Sequence, residues 1–351
     1  MKKAVGVYVN KNILHFVVLG RGMGRARLLA AESIKIPPDV TIGSVASSVK
    51  PIDTTVKQAN AKPGHQKTLT AFEFAVKNLF NQHNVKDGQI IAAALPPEFI
   101  VIRYFQMARL SVTEQKAAVP FEARKYLPYK LEDVVYAYTI SYDKVASNKM
   151  AVIFVAAEKA PAANYIRFFE NIGFKIGYLE AIPYSLKRFF YYIKSVELAQ
   201  TTALMHVCQD SANINLVRNK VLYLTRNVSF STKADDKFDS LLSEARLSFD
   251  YFHRQFPEEK IEKMIIWSDD KDIQVRAENV GKDLNVQTKT ANPFDGIEGA
   301  SGYSVEYAVS TGLALRSIYE PNHDINLSPG FRLIEVEKLI KLFIVELCIA
   351  V

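Results

Sequence analysis

The chain opens with two apolar runs, AVGVYV and ILHFVVL, separated by the polar Asn10-Lys11-Asn12, a pattern that predicts a β-hairpin. A third strand follows GRGMGRARL. Gly20, Gly22 and Gly24 have the bare look of a phosphate loop, but they fall between strands, with no following helix to offer amide donors, and are read as a turn. From about Ile42 to Lys67 the chain is rich in Ser, Thr, Lys and Pro, without apolar periodicity, which predicts a loop or insertion. TAFEFAVKNLFNQHN then places Phe72, Ala75, Val76, Leu79 and Phe80 on one helical face, and the strands QIIAAALP and VIRYFQMARL follow. SVTEQKAAVPFEARKYLPY begins with a capping box, Ser111 and Glu114, and its Pro120 predicts a bend near Val119. YAYTISYD and KMAVIFVAAE read as paired strands, and PAANYIRFFENIGF as a helix closed by Gly173.

The second half repeats this order. TALMHVCQ, NINLVR and KVLYLTRNVSF predict three successive strands, followed by a helix over KFDSLLSEARLSFDYFHRQF, a strand over KMIIWS and a helix ending in TGLALRSIY. Two halves that each open with a strand meander and close with helices suggest duplication of one α/β unit.

With 351 residues there is room for two domains, and 49% apolar against 23% charged residues excludes wholesale disorder. The net charge of +7 would suit a membrane surface or nucleic acid, but the charges are spread along the chain and no nucleic-acid motif accompanies them. The clearest cluster, Arg21, Arg25 and Arg27, reads as a solvated turn or as a phosphate or headgroup contact. Cys208 and Cys348, far apart in sequence, have no Cys-x-x-Cys or Cys/His spacing that could hold a metal, and the N-terminus lacks the apolar core of a secretory signal, so a cytoplasmic protein is expected. From Leu339 the run LIKLFIVELCIAV is too short to span a bilayer. It reads either as the first half of a membrane helix or as an amphipathic helix docked on a partner or on the domain itself.

The stretch AALPPEFIVIRYFQMARLSVTEQKAAVPFEARKYLPYKLEDVVYAYTI, with Arg103, Glu114, Glu122, Lys125, Tyr126 and Pro128, resembles the PilM family of type IV pilus assembly proteins, which is related to FtsA and to the cytoplasmic part of GspL. VAAEKAPAANYIRFFENIGFKIGYLEAIPYSLKR and YSVEYAVSTGLALR resemble later segments of the same family, so the likeness covers about residues 4–318. It implies an actin-like, ribonuclease H-like duplicated α/β fold of two lobes, with a small α/β subdomain inserted in the first and a helical tail. The expected boundaries are 1–87 for the first lobe, 88–180 for the insertion, 181–320 for the second lobe and 321–351 for the tail. In that tail Asp324-Ile325-Asn326-Leu327-Ser328-Pro329 resembles the Ile-Asn-Leu-Leu-Pro motif that opens the membrane partner PilN, which suggests a PilM–PilN fusion.

Actin-like nucleotide sites use two hairpins carrying Asp and Gly, the carboxylate for magnesium and the glycine so that backbone can approach phosphate. Here those positions fall on Tyr8-Val9-Asn10 and on His206-Val207-Cys208, and neither carboxylate nor glycine is present. Neutral His206 cannot supply the charge that a hard cation prefers. The glycine pair expected at the adenosine falls near Ser268 and Asp269, where Asp269, Asp270 and Asp272 would repel a polyphosphate. Asp210, the nearest carboxylate, lies on the wrong side of its turn. A Cys208/His206 nucleophilic pair shares one strand face but lacks an orienting third group, and His83, His253 and His323 show no metal spacing.

No catalytic residue and no metal site is therefore expected, with ATP a residual possibility as ligand and a non-hydrolysing pseudo-ATPase the expected class. The resemblance implies a scaffold at the cytoplasmic face of an inner membrane, in a pilus or type II-like secretion platform. Its partners would be a PilN-like membrane protein or its own tail, other platform proteins, and a second copy. Ile325 and Leu327 would fill pockets, Asn326 would bond exposed backbone and Pro329 would limit unbound freedom. A divergent actin-like ATPase and an FtsA-like membrane tether are the alternatives.

Overall fold

The computed structural model describes residues 3–21, 25–38, 40, 42, 69–142, 145–193, 198–230, 235–319 and 325–328. The opening meander is β1 (Lys3–Asn10), β2 (Ile13–Arg21) and β3 (Ala26–Lys35), each antiparallel to the next. The two-residue turn between β1 and β2 places Lys11 at φ 51°, the left-handed conformation that such tight turns demand. The chain continues through α1 (Ala71–Gln82) and β4 (Ile90–Leu95) into β5 (Ile100–Ala108), α2 (Val112–Ala123), β6 (Val134–Ser141) and β7 (Lys149–Glu158). It returns by α3 (Lys159–Asn171), β8 (Lys175–Ala181) and α4 (Ile182–Tyr192).

The second half has β9 (Thr202–Val207), β10 (Ser211–Arg218) and β11 (Val221–Ser229), then α5 (Asp235–Gln255), β12 (Lys263–Ser268), α6 (Lys271–Leu284), β13 (Gln287–Thr290) and α7 (Ala308–Tyr319). Its sheet has the order β11-β10-β9-β12-β13, the same order as β3-β2-β1-β4-β8 in the first half. In each, a three-stranded meander is extended by two parallel strands that arrive through helices. This is the duplicated unit that the repeated pattern predicts.

β1 is buried along nearly its whole length rather than alternately, because helices cover both faces of its sheet. On one side Phe80 of α1 stacks on Phe16 at 4.6 Å and meets Phe174 at 4.4 Å. On the other, α7 of the second half lies against β1, β2 and β4. α4 of the first half reciprocally lies against β10 and β11, and the two helices pack on each other at the centre. The edge strand β3 keeps the alternation of a half-solvated strand.

β5, β7 and β6 form a separate three-stranded sheet whose core is Phe105, Val119, Met150, Val152 and Phe154. The expected boundaries of the insertion, 88 and 180, fall beside or within β4 and β8, which pair with each other in the first sheet. The inserted unit is therefore the narrower stretch of about 97–158. Pro120 does not interrupt α2, which runs unbroken from Val112 to Ala123 with the proline inside it. Pro120 removes one helical hydrogen bond, but Val119, Pro120 and Ala123 are buried against the small sheet, and that packing holds the turn together. The capping boxes at Thr70/Glu73 and Ser111/Glu114 start α1 and α2.

The segment from about Ile42 to Lys67 lies, apart from Ile42, outside the described residues, as do Gly22, Gly24, Pro329 and the apolar run from Leu339. No helix among the described residues is long and apolar enough to cross a membrane.

Candidate functional site

The two positions where an actin-like fold would carry phosphate loops face each other between the lobes. Tyr8 near the end of β1 is 7% exposed, and burial pushes its phenol far above the usual range, helped by the nearby Cys208 of the opposite lobe. The imidazole of His15, on β2 opposite Tyr8, stacks on that ring at 6.3 Å and meets Tyr307 edge-on at 5.6 Å. Burial and the facing His206 hold His15 down at about 4, so it is neutral at physiological pH. Asn10 ends β1, paired with Ile13.

From the second lobe, His206 on β9 places Nε2 2.7 Å from the carbonyl of Val305, which it reaches by donating a proton. Burial lowers its pKa, so it too is neutral. Cys208 Sγ lies 3.5 Å from His206 Nε2, the pair that strand alternation places on one face. The pair is not poised for nucleophilic attack. Burial, then Glu306 and Asp269, pushes the Cys208 thiol upward, away from thiolate.

Asp210, Asp269 and Asp270 of this region are already engaged. Asp210, at the tip of the second hairpin, pairs at 3.3 Å with Lys11 at the tip of the first, so an ion pair joins the two turns. Asp269 accepts from the Val305 amide at 3.0 Å, and Ser268 Oγ accepts from the Asp270 amide at 3.1 Å. Asp270 caps α6 and pairs with Lys237 at 2.7 Å. Glu306 is raised by partial burial, then by Asp269 and Asp210, so negative charge accumulates here.

The tail motif lies elsewhere, on the outer edge of β8. Ile325 and Leu327 are 2% and 3% exposed and belong to the main core. The Leu327 amide donates to the Leu179 carbonyl at 2.7 Å, as an added strand would. The Asn326 side chain continues the pairing in place of backbone. Its Oδ1 accepts from the Leu179 amide at 3.0 Å and its Nδ2 donates to the Gly177 carbonyl at 3.1 Å. A primary amide carries the same donor and acceptor as a peptide group, so Asn326 satisfies the edge strand while its neighbours turn inward. Asn326 Oδ1 also accepts from the Ser328 amide at 3.0 Å.

Beneath this segment is a charged triad that no motif singles out. Glu180 on β8 is fully buried and accepts both Arg188 Nη1 at 2.7 Å and Arg188 Nη2 at 2.8 Å, a bidentate pair with α4. Arg316 of α7, 1% exposed, donates from Nη1 to Glu180 Oε2, the oxygen it shares with Arg188 Nη2, and to the Ile325 carbonyl. The triad thus ties β8, both central helices and the tail motif into one network. A trace of it exists in the sequence: Glu180 and Arg316 are lone charges inside the apolar runs GYLEAIPYSL and TGLALRSIY, and Arg188 follows Lys187 just before the aromatic run FFYY. A charge in a core position requires a partner, but the pattern does not say which.

Two lobes of repeated topology, joined by crossed central helices and carrying an inserted subdomain in the first, define an actin-like fold. No protein-family model matches the chain and no curated protein matches it. Among solved structures it is similar to one described as the PilM-PilN type IV pilus biogenesis complex, with 18% identity and a TM-score of 0.69 over 90% of this chain and 98% of that one. It is also similar to the cytoplasmic domain of EpsL, an inner membrane component of the type II secretion system of Vibrio cholerae, with 9% identity and a TM-score of 0.50 over 94% and 99%. At such identities the likeness is one of fold.

Proposed function

We propose that this chain is a nucleotide-independent scaffold that works by holding an Ile-Asn-Leu segment on the edge of its first lobe. The observation that carries the reading is the placement of Ile325–Leu327 along β8, with two apolar side chains buried and the asparagine amide paired to the strand. The similar structures supply the setting. One is a pilus biogenesis complex of PilM with PilN, the other a cytoplasmic domain of an inner membrane secretion component. For this chain we infer a place at the cytoplasmic face of an inner membrane, in a pilus or type II-like secretion platform. The groove would hold the chain's own tail, a second copy's tail, or the corresponding segment of a PilN-like membrane protein. Residues 320–324 are the only link between α7 and the motif, so the local concentration of the chain's own segment is high.

The double substitution Ile325→Asp with Leu327→Asp tests this reading. Burying each apolar side chain contributes about 1.5–3 kcal/mol, so losing both should raise the rate of proteolysis beyond residue 319 by roughly two to four orders of magnitude. A synthetic peptide of residues 321–331 should then bind the variant and not the unsubstituted chain, whose groove is filled. Unchanged protease sensitivity together with no peptide binding would overturn the reading.

The interlobe region does not fit a magnesium polyphosphate. Tyr8, His15, His206 and Cys208 occupy it as neutral, buried groups; of the carboxylates around them, Asp210 pairs with Lys11 and Asp269 accepts from the Val305 amide, while Glu306 and Glu98 add negative charge beside Cys208 and Tyr8. We expect no ATP hydrolysis and no useful binding. Thermal unfolding of the full chain should be unmoved by ATP and magnesium, whereas a ligand at a hundred times its dissociation constant would add about 2.7 kcal/mol. An upward shift in a cooperative transition would restore the ATPase reading.

A further inference from the structure

A second groove lies between two sheet edges that no other strand pairs with among the described residues. β5 is the edge of the small sheet and β11 the edge of the second-lobe sheet. Residues 102–106 of one and 222–226 of the other line a cleft of about 850 Å³. Tyr104 of β5 meets Tyr223 of β11 at 5.9 Å and Phe256 at 5.4 Å, which closes the floor where the two edges converge. In an antiparallel ladder alternate N–H and C=O groups of an edge strand point away from the partner. Both walls therefore carry outward-facing backbone donors and acceptors, of which the Ile102 carbonyl is taken by Arg103.

The charge of the lining has one sign. Arg103, Arg226 and Arg254 line the cleft, and among the described residues no aspartate or glutamate does. Arg103 gives its Nε and Nη1 hydrogens to the carbonyls of Tyr126 and Ile102, neutral acceptors that fix its position and leave its charge in place. Arg226 pairs with Glu244 outside the lining at 2.9 Å, while Arg254 makes no ion pair among the described residues. On α5, Leu247, Tyr251 and Arg254 follow helical spacing on one face; Leu247 and Tyr251 are each 48% exposed, and all three border the cleft.

We infer that this cleft takes an extended acidic segment of a partner protein, pairing as a strand with β5 or β11, its acidic residues toward the arginines and its apolar ones toward Leu247, Tyr251 and Tyr126. A strand segment facing five residues spans about 16 Å at ~3.3 Å per residue, and strand addition requires backbone N–H groups, which proline lacks. The site is separate from the β8 edge and does not depend on the tail.

The test uses the full chain and fluorescent synthetic peptides of about eight residues alternating glutamate and valine. The expected result is saturable binding, weakened at least tenfold when lysine replaces glutamate and at least tenfold when proline replaces every valine. Arg254→Glu and Arg226→Glu should each weaken binding tenfold or more. Arg246→Glu, the same charge change on α5 outside the cleft lining, should leave it within twofold. Equal binding of the acidic and basic peptides, or binding indifferent to Arg254→Glu, would overturn the proposal. Undiminished binding of the proline peptide, or displacement by inorganic polyphosphate alone, would mark a general anion surface and overturn it equally.

Discussion

Glu180→Gln should be among the most destabilising single changes in this protein, costing about 3–5 kcal/mol and lowering the urea midpoint by about 1 M. The substitution keeps shape and removes only charge. What remains is two guanidinium groups, Arg188 and Arg316, buried to within 2% and 1% of full coverage, facing a neutral amide that can accept from only part of the fork. Breaking one partner of a buried ion network costs more than the network stabilises, because desolvation of the surviving charges is left without its compensation. Glu180→Asp, which keeps the charge on a shorter arm, should lose less. The effect should also reach the tail: Arg316 donates to the Ile325 carbonyl while held by Glu180, so protection of residues 325–328 in hydrogen exchange should fall with it. Equal midpoints for the parent and Glu180→Gln in urea unfolding would show that the triad is not a stabilising node.

The residues that carried the fold in the sequence are those whose periodicity reports burial. The β1–β2 hairpin, the amphipathic face of α1 and the second meander all follow from local patterns that their environments agree with. Pro120 shows the opposite case, a helix-breaking residue through which α2 continues, with Val119, Pro120 and Ala123 packed on the small sheet. The limits of the inserted unit were hidden because β4 and β8 read as ordinary strands, and only their mutual pairing assigns them to the first sheet. The site divides the same way. Missing carboxylates and glycines at Tyr8, Asn10, His206 and Cys208 are legible one residue at a time. That Lys11 meets Asp210 across two hairpins, or that Glu180 lies between arginines from two helices, depends on tertiary neighbours that no spacing encodes.

Gly6 and Gly312 make a second large effect predictable from space alone. An added Cβ at Gly6 on β1 would stand 1.9 Å from the Ser310 carbonyl and 2.6 Å from the Ala314 amide of α7. At Gly312 on α7 it would stand 2.0 Å from the Ser185 carbonyl of α4. These contacts are with backbone, so no rotamer change relieves them, and α7 must move away from the strand or helix it crosses. Overpacking of this kind costs about 1–3 kcal/mol, occasionally more, and both alanine variants should fall at or above the top of that range. Displacing α7 would also carry Arg316 away from Glu180 and Ile325, so the two glycine variants should share the tail exposure expected of Glu180→Gln. Gly88→Ala provides the contrast. Its Cβ meets nothing within 4 Å, but the residue has φ +78°, so its cost should be only about 1 kcal/mol of backbone strain, with the tail still protected. Thermal unfolding of the three variants, read beside proteolysis of the tail, separates steric displacement of α7 from simple loss of stability. A tail as protected in Gly312→Ala as in Gly88→Ala would mean that α7 does not position the groove.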